Sequence, residues 1–219
     1  MGILSKKILR YIGRNFGQFL AASAVVMGGI IVYIAMSSSY YSLSNSMDTF
    51  YRDNNFADYY FQVVKAPQSV VKQIEQQPGV KRVTGRVQRD LSIIKENSER
   101  ATARVVGYNL PMDNELNRLA LEKGRYFAEN QNAGDVEAMV DVKYLAANQL
   151  DWGDQVAAVA DGKEVFFTVV GSAMSPEFIY AMKDSADMLP DATKFGIFMM
   201  ENGQAQQILN MPGHFNQVL

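Results

Sequence analysis

The 21 residues from Phe16 to Met36, FGQFLAASAVVMGGIIVYIAM, hold no charged side chain and only Gln18 and Ser23 as strongly polar interruptions. As a helix rising ~1.5 Å per residue this run is roughly 31 Å long, against the ~30 Å hydrocarbon core of a bilayer. Aromatic residues bracket it, Tyr11 and Phe16 before and Tyr40 and Tyr41 after. Tyr11 to Tyr40 spans about 43 Å as helix, close to the ~40–45 Å between the two headgroup zones. A transmembrane helix over 16–36 is therefore expected. A buried soluble helix rarely runs so far without a charge. Ala35 and Ser37 also make a small-x-small pair suited to signal-peptide cleavage, but an h-region is usually only about 7–15 residues long.

Charge sets the expected orientation. Lys6, Lys7, Arg10 and Arg14 lie in the first 14 residues, and the first acidic residue of the chain is Asp48. Of 21 Lys and Arg and 23 Asp and Glu, this leaves 17 positive and 23 negative residues downstream. Cations gathered before an apolar span place the N-terminus in the cytoplasm and the body outside, at the cell membrane. An acidic body also argues against a nucleic-acid partner, which selects a basic folded face.

In the leader, residues 1–15, the apolar Ile3, Leu4, Ile8, Leu9 and Ile12 recur at helical spacing among the four cations. Such a segment resembles an interfacial amphipathic helix resting on the lipid bilayer, and it equally serves as a topogenic basic stretch. Gly13 and Gly17 form a small-xxx-small pair, and Gly28 and Gly29 thin the membrane helix at mid-depth. Both are candidate helix-packing positions.

Beyond the membrane, Tyr40, Leu43, Met47 and Phe50 keep a helical spacing, which predicts a stalk helix over 37–56. From about residue 57 the pattern is that of a mixed α+β domain. Residues 57–110 read as a strand from Tyr59 to Val64, a helix opened by Pro67, a strand-like run from Val80 to Ile94 with a bulge at Gly85, and a turn at 96–99 leading to a strand over 101–108. Strand, helix, strand, strand is half of a split βαβ layout. Residues 111–219, after an irregular linker at 111–117, read as mainly β: strands over 138–142, 155–160, 164–171 and 195–200, with helices over 142–150 and 203–209. Asp161-Gly162 is the strongest hairpin signal, because a type I′ turn needs positive φ at both central residues. The end of the chain, Phe215 to Leu219, is expected to begin a new element with an unpaired apolar edge.

Chemistry is sparse. The chain has no Cys and a single His, His214, which removes disulfides, thiolate chemistry and multi-histidine metal sites. Asp151, Asp154 and Asp161 stand beside glycines and read as turn-capping residues. Ser175-Pro176-Glu177 is a turn signal with no histidine near it in sequence. Trp152 suits a core or interface position, and His214 a solvated loop. There is no phosphate-binding glycine loop, calcium loop or nucleophile elbow. No catalytic, cofactor or metal residues are assigned.

The order of these features resembles the N-terminal part of MacB/FtsX-like permease subunits of ABC transporters. The resemblance rests on RNFGQFLAASAVV, FYRDNNFADYYFQV, QQPGVKRVTGR, LEKGRYF, EAMVDVKYLAANQLDWGDQV and FFTVVGSAMSPEFIY, in unbroken order over most of the 219 residues. It implies a membrane-anchored α+β protein: one N-terminal transmembrane helix with a stalk, then a MacB-like extracytoplasmic domain. It also implies a non-enzymatic permease that moves with a separate cytoplasmic ABC ATPase and pairs with a second permease subunit. Lys6, Lys7, Arg10 and Arg14 would then lie near that ATPase. Such permeases generally have four membrane helices and this sequence shows one, so continuation beyond Leu219 is expected. The alternative is a single-pass anchored extracytoplasmic sensor or binding domain; an anchored enzyme ranks third.

Overall fold

The computed structural model describes residues 2–95, 99–128, 136–179, 181 and 191–219. It divides into two units, one up to Phe50 and the other from Tyr51 to Leu219. Helix α1 (Ile3–Arg14) and helix α2 (Phe16–Asp53), whose last residues, from Tyr51, belong to the second unit, are separated at Asn15. The Asn15 N–H donates to Tyr11 O and Ile12 O, and the side-chain amide donates to Tyr11 O at 3.3 Å. Asn15 O then accepts from Gln18 N and Phe19 N and starts the next helix. α2 is 38 residues long with no buried side chain. Among the described residues it is the one helix long and apolar enough to cross a membrane. It continues into the expected stalk region without a break as far as Asp53, and the helix stops short of residue 56.

The second unit is mixed α and β. A three-stranded sheet has β10 (His214–Val218) at its centre, antiparallel to β1 (Phe61–Pro67) and to β2 (Gly85–Arg86). A seven-stranded sheet has the order β5 (Ala120–Gly124), β8 (Lys163–Met174), β6 (Val136–Asp141), β9 (Phe195–Glu201), β4 (Arg100–Tyr108), β3 (Gln88–Ile94), β7 (Gln155–Ala160). The long β8 also pairs with β7, so hydrogen bonding through β7, β8, β6, β9, β4 and β3 closes on itself. Closure leaves β5 as an extra strand along the second half of β8.

Residue pattern explains the layers. In β3, Leu91 and Ile93 are buried while Asp90 and Ser92 face out, and in β7 Val156, Ala158 and Ala160 are buried. β9 reads FGIFMME because both its faces are covered. Phe198 and Met200 pack with Phe167 and the two short helices α4 (Val142–Ala147) and α5 (Asn202–Ile208); Phe195, Ile197 and Met199 pack with Tyr108, Leu119 and Met139. Asp141 caps α4 by accepting from Lys143 N and Tyr144 N at 3.1 and 3.0 Å, and Glu201 caps α5 from Gly203 N and Gln204 N. The Asp161-Gly162 turn has φ of 48° and 79°, as the type I′ reading requires.

Several expectations are corrected. β1 begins at Phe61, and Pro67 ends it rather than opening the helix, which is α3 (Ser69–Glu75). The run from Val80 to Ile94 is not one strand: β2 and β3 belong to different sheets, with Val87 between them. Gly85 marks that transfer, because a Cβ there would lie 2.6 Å from Val71 Cγ2 and 3.0 Å from the Phe215 ring. The split βαβ layout does not form a sheet of its own, since β1 and β2 pair with β10 while β3 and β4 pair with β7 and β9. The sheets therefore do not divide at residue 110. The terminal segment is no unpaired edge: as a central strand it buries Phe215, Val218 and Leu219. The tip of the β3–β4 turn, residues 96–98, lies outside the described residues.

Candidate functional site at the end of the long helix

The helix α2 ends in a way its sequence dictates. Asn55 adopts φ 50°, and the amides of Asn55 and Phe56 return to Arg52 O and Tyr51 O at 3.3 and 2.9 Å. This is a Schellman-type end, with Asn supplying the left-handed residue. The accompanying apolar contact is the stacking of Phe56 on Tyr51, ring centroids 4.6 Å apart.

The residues just released are held by the segment 115–118. Arg118 N donates to Asn54 O at 2.8 Å, Asn117 N to Asn55 O at 3.0 Å, and the Arg118 guanidinium to Asp53 O at 2.9 Å. Asn55 Nδ2 donates to Glu115 O at 3.2 Å, and Asn117 Oδ1 accepts from Ala57 N at 2.8 Å. The segment 111–117, expected as a polar linker, is thus packed: Met112, Glu115 and Asn117 are buried. Asn117, at φ 52°, turns its side-chain amide inward to Glu177 at 3.0 Å.

Glu177 accepts from Arg86, which lies on β2 with its side chain fully buried. Arg86 Nε donates to Gln217 Oε1 on β10 at 2.7 Å, and the guanidinium stands over the Tyr108 ring at 5.2 Å. Gln217 reaches back to Glu177 at 3.4 Å, and the Tyr108 hydroxyl donates to Ser175 Oγ at 3.3 Å. Arg86 Nη1 has no hydrogen-bond partner among the described residues. Beside this pair, Glu115 accepts from Thr84 Oγ1 at 2.8 Å, and Thr84 accepts from Asn109, also at 2.8 Å.

Electrostatics follow from burial. Desolvation alone would lower the Arg86 pKa, but the adjoining Glu177 carboxylate more than reverses it, and the guanidinium stays charged. Burial pushes the Tyr108 phenol up to about 12. Burial also raises the Glu115 pKa, against the hydrogen bond from Thr84 and the charge of Arg86. One buried ion pair thus joins β2, β10, the turn after β8 and the loop that grips the helix end.

The residues singled out from sequence lie elsewhere. Lys6, Lys7, Arg10 and Arg14 are exposed on α1, within roughly 100° of arc at 3.6 residues per turn, opposite Leu4, Ile8 and Ile12. Gly13 belongs to α1 and Gly17 to α2, so their four-residue spacing does not run along one helix. A Cβ at Gly13, Gly17, Gly28 or Gly29 would meet nothing within 4 Å. Of the turn aspartates, Asp154 caps a backbone group, accepting from Asp151 N at 2.7 Å, whereas Asp161 pairs with the Arg89 side chain at 3.1 Å. Trp152 is 43% exposed, outside the core, and His214 is not in a loop but begins β10, half-buried. Among the described residues no three His, Asp or Glu side chains gather as a metal site. Sequence reading missed Arg86, Glu115, Asn117, Glu177 and Gln217. The one available signal was an arginine inside the apolar, glycine-marked run VTGRV.

No protein-family model matches the sequence, and no curated protein sequence does. Among solved structures the chain is similar to the extracellular domain of the ABC-type transporter YknZ from Gram-positive bacteria, at 16% identity and TM-score 0.46, over 70% of this chain and 71% of that one. It is also similar to the periplasmic region of MacB from Actinobacillus actinomycetemcomitans, at 14% identity and TM-score 0.44, over 72% of this chain and 64% of that one.

Proposed function

We propose that the chain is part of the permease subunit of an ABC transporter, coupling ATP hydrolysis by a separate cytoplasmic ATPase to movement of an extracytoplasmic domain. In this reading the N-terminus is cytoplasmic, the domain from Tyr51 onward is extracytoplasmic, and a second permease subunit completes the assembly. The observation that supports it most is the continuity of α2. One 38-residue helix contains the apolar span and ends at Asp53, whose carbonyl is held by Arg118. A displacement of the helix along its axis would load the 115–118 segment and, through Asn117, the Arg86–Glu177 pair. The basic arc of α1 suits a cytoplasmic contact surface.

The test is charge reversal of the leader in the assembled transporter. Lys7→Glu/Arg10→Glu should lower ATPase stimulation by the permease, or loosen the complex, while membrane insertion is retained. Full stimulation in a correctly inserted double variant would return these cations to a topogenic role. An inserted chain that recruits no ATPase would favour the anchored sensor or binding domain.

A further inference from the structure

Beside the junction a cavity of about 650 Å³ opens among the turn that ends α2, the residues leading into β1 and the segment 79–83. Ligand sites commonly occupy ~300–1,000 Å³ and are mainly apolar with a few placed polar groups. Tyr51, Phe56, Tyr59 and Phe61 supply an aromatic wall. Tyr59 and Phe61 are 75% and 64% exposed, more apolar surface than a residue pair beside a packed sheet normally leaves to water. Leu116 and Val218 also line the cavity, and Val218 is the register partner of Phe61 across β1 and β10.

The polar part of the lining is positively biased. Its charged side chains are Arg52, Lys81 and Arg82 against Asp58, and the main chain at Leu219 also lines it. Lys81 and Arg82 are exposed and make no ion pair among the described residues, and Arg52 meets Asp53 in a largely solvated pair at 3.5 Å. Solvated cations beside an open aromatic wall complement a ligand with an apolar chain and an anionic head.

We propose that this cavity binds a single-chain anionic amphiphile of the fatty-acid class, its chain along the aromatic wall and its carboxylate at Arg52, Lys81 and Arg82. Leu116 stands between Glu115 and Asn117, so an occupant also touches the segment that grips the helix end. The inference rests on the cavity alone and does not depend on the permease reading.

The chain in phosphatidylcholine nanodiscs, with no ATPase present, is photolabelled with a diazirine analogue of palmitic acid and with the matching neutral alcohol. Saturable labelling by the acid is expected within residues 51–61 and 79–83, well above that by the alcohol. Lys81→Glu/Arg82→Glu, at exposed positions that leave the core untouched, should reduce it by at least about fivefold, the weight of a charge-assisted contact. Leu116→Trp should reduce it by filling the cavity. Labelling confined to residues 16–36, equal labelling by acid and alcohol, or undiminished labelling of the double charge variant would each overturn the proposal.

Discussion

Arg86 and Glu177, 91 residues apart in sequence, form an ion pair in which the arginine side chain is completely buried and the glutamate side chain is 13% exposed. Desolvating two charges is costly, and it is tolerated where other hydrogen bonds complete the site. Here Gln217 and Asn117 add such bonds, while Arg86 Nη1 is left without a partner among the described residues. The pair thereby makes the three-stranded sheet, the turn after β8 and the end of α2 members of one polar network.

Removing one partner should therefore cost more than removing both. Glu177→Leu leaves a buried guanidinium without its counter-ion and should destabilise the domain by about 3–5 kcal/mol, whereas Arg86→Met/Glu177→Leu should lose less. Thermal melts of the two variants decide the matter; a double variant melting no higher than Glu177→Leu would mean the charges do not act as a pair.

A second expectation concerns pH. Burial raises the folded-state pKa of Glu115 above its ordinary 4.5. The folded chain then holds this proton more tightly than the unfolded one, so the Glu115 contribution is most favourable below that value and is lost as pH climbs through the folded pKa. Glu115→Gln keeps an acceptor for Thr84 and removes the charge. Its melting temperature should exceed the parent's near neutral pH, and the advantage should vanish at about pH 4. An advantage unchanged with pH would exclude titration of Glu115 as its origin.

The β7–β8 hairpin offers a local test. Gly162 sits at φ 79° with open space around its Cα. Gly162→Val should cost on the order of 1–3 kcal/mol through backbone strain alone, while Lys163→Ala next to it should be near neutral. Equal melting of the glycine variant and the parent would contradict the positive-φ turn.

Topology is read most directly by cysteine labelling, since the chain has no native Cys. In intact cells Ser5→Cys should resist an impermeant maleimide and Lys163→Cys should react. The opposite pattern would reverse the proposed orientation.

Local rules of chain chemistry made much of this protein legible. The uncharged run 16–36 announces a long apolar helix because backbone and side chains in a bilayer need both helical pairing and apolarity. The strand over 155–160, the Asp161-Gly162 turn and the helix near 203–209 follow from alternation, positive φ and capping, all of which act within a few residues. Two further local signals were present and went unread: Asn55 as a helix stop, and Asn15 as a break between Gly13 and Gly17. Long-range pairing alone decided the rest. Nothing near Phe215 in sequence shows that its strand lies between β1 and β2, nor that β7 meets β8 and β3 at once. Glu115 and Asn117 look solvated in sequence until burial beside Thr84, Glu177 and the helix end gives each a partner. A buried charge is intelligible only with its counter-charge, and here the two meet from positions 91 residues apart, so the junction exists in the tertiary structure and not in any segment of the chain.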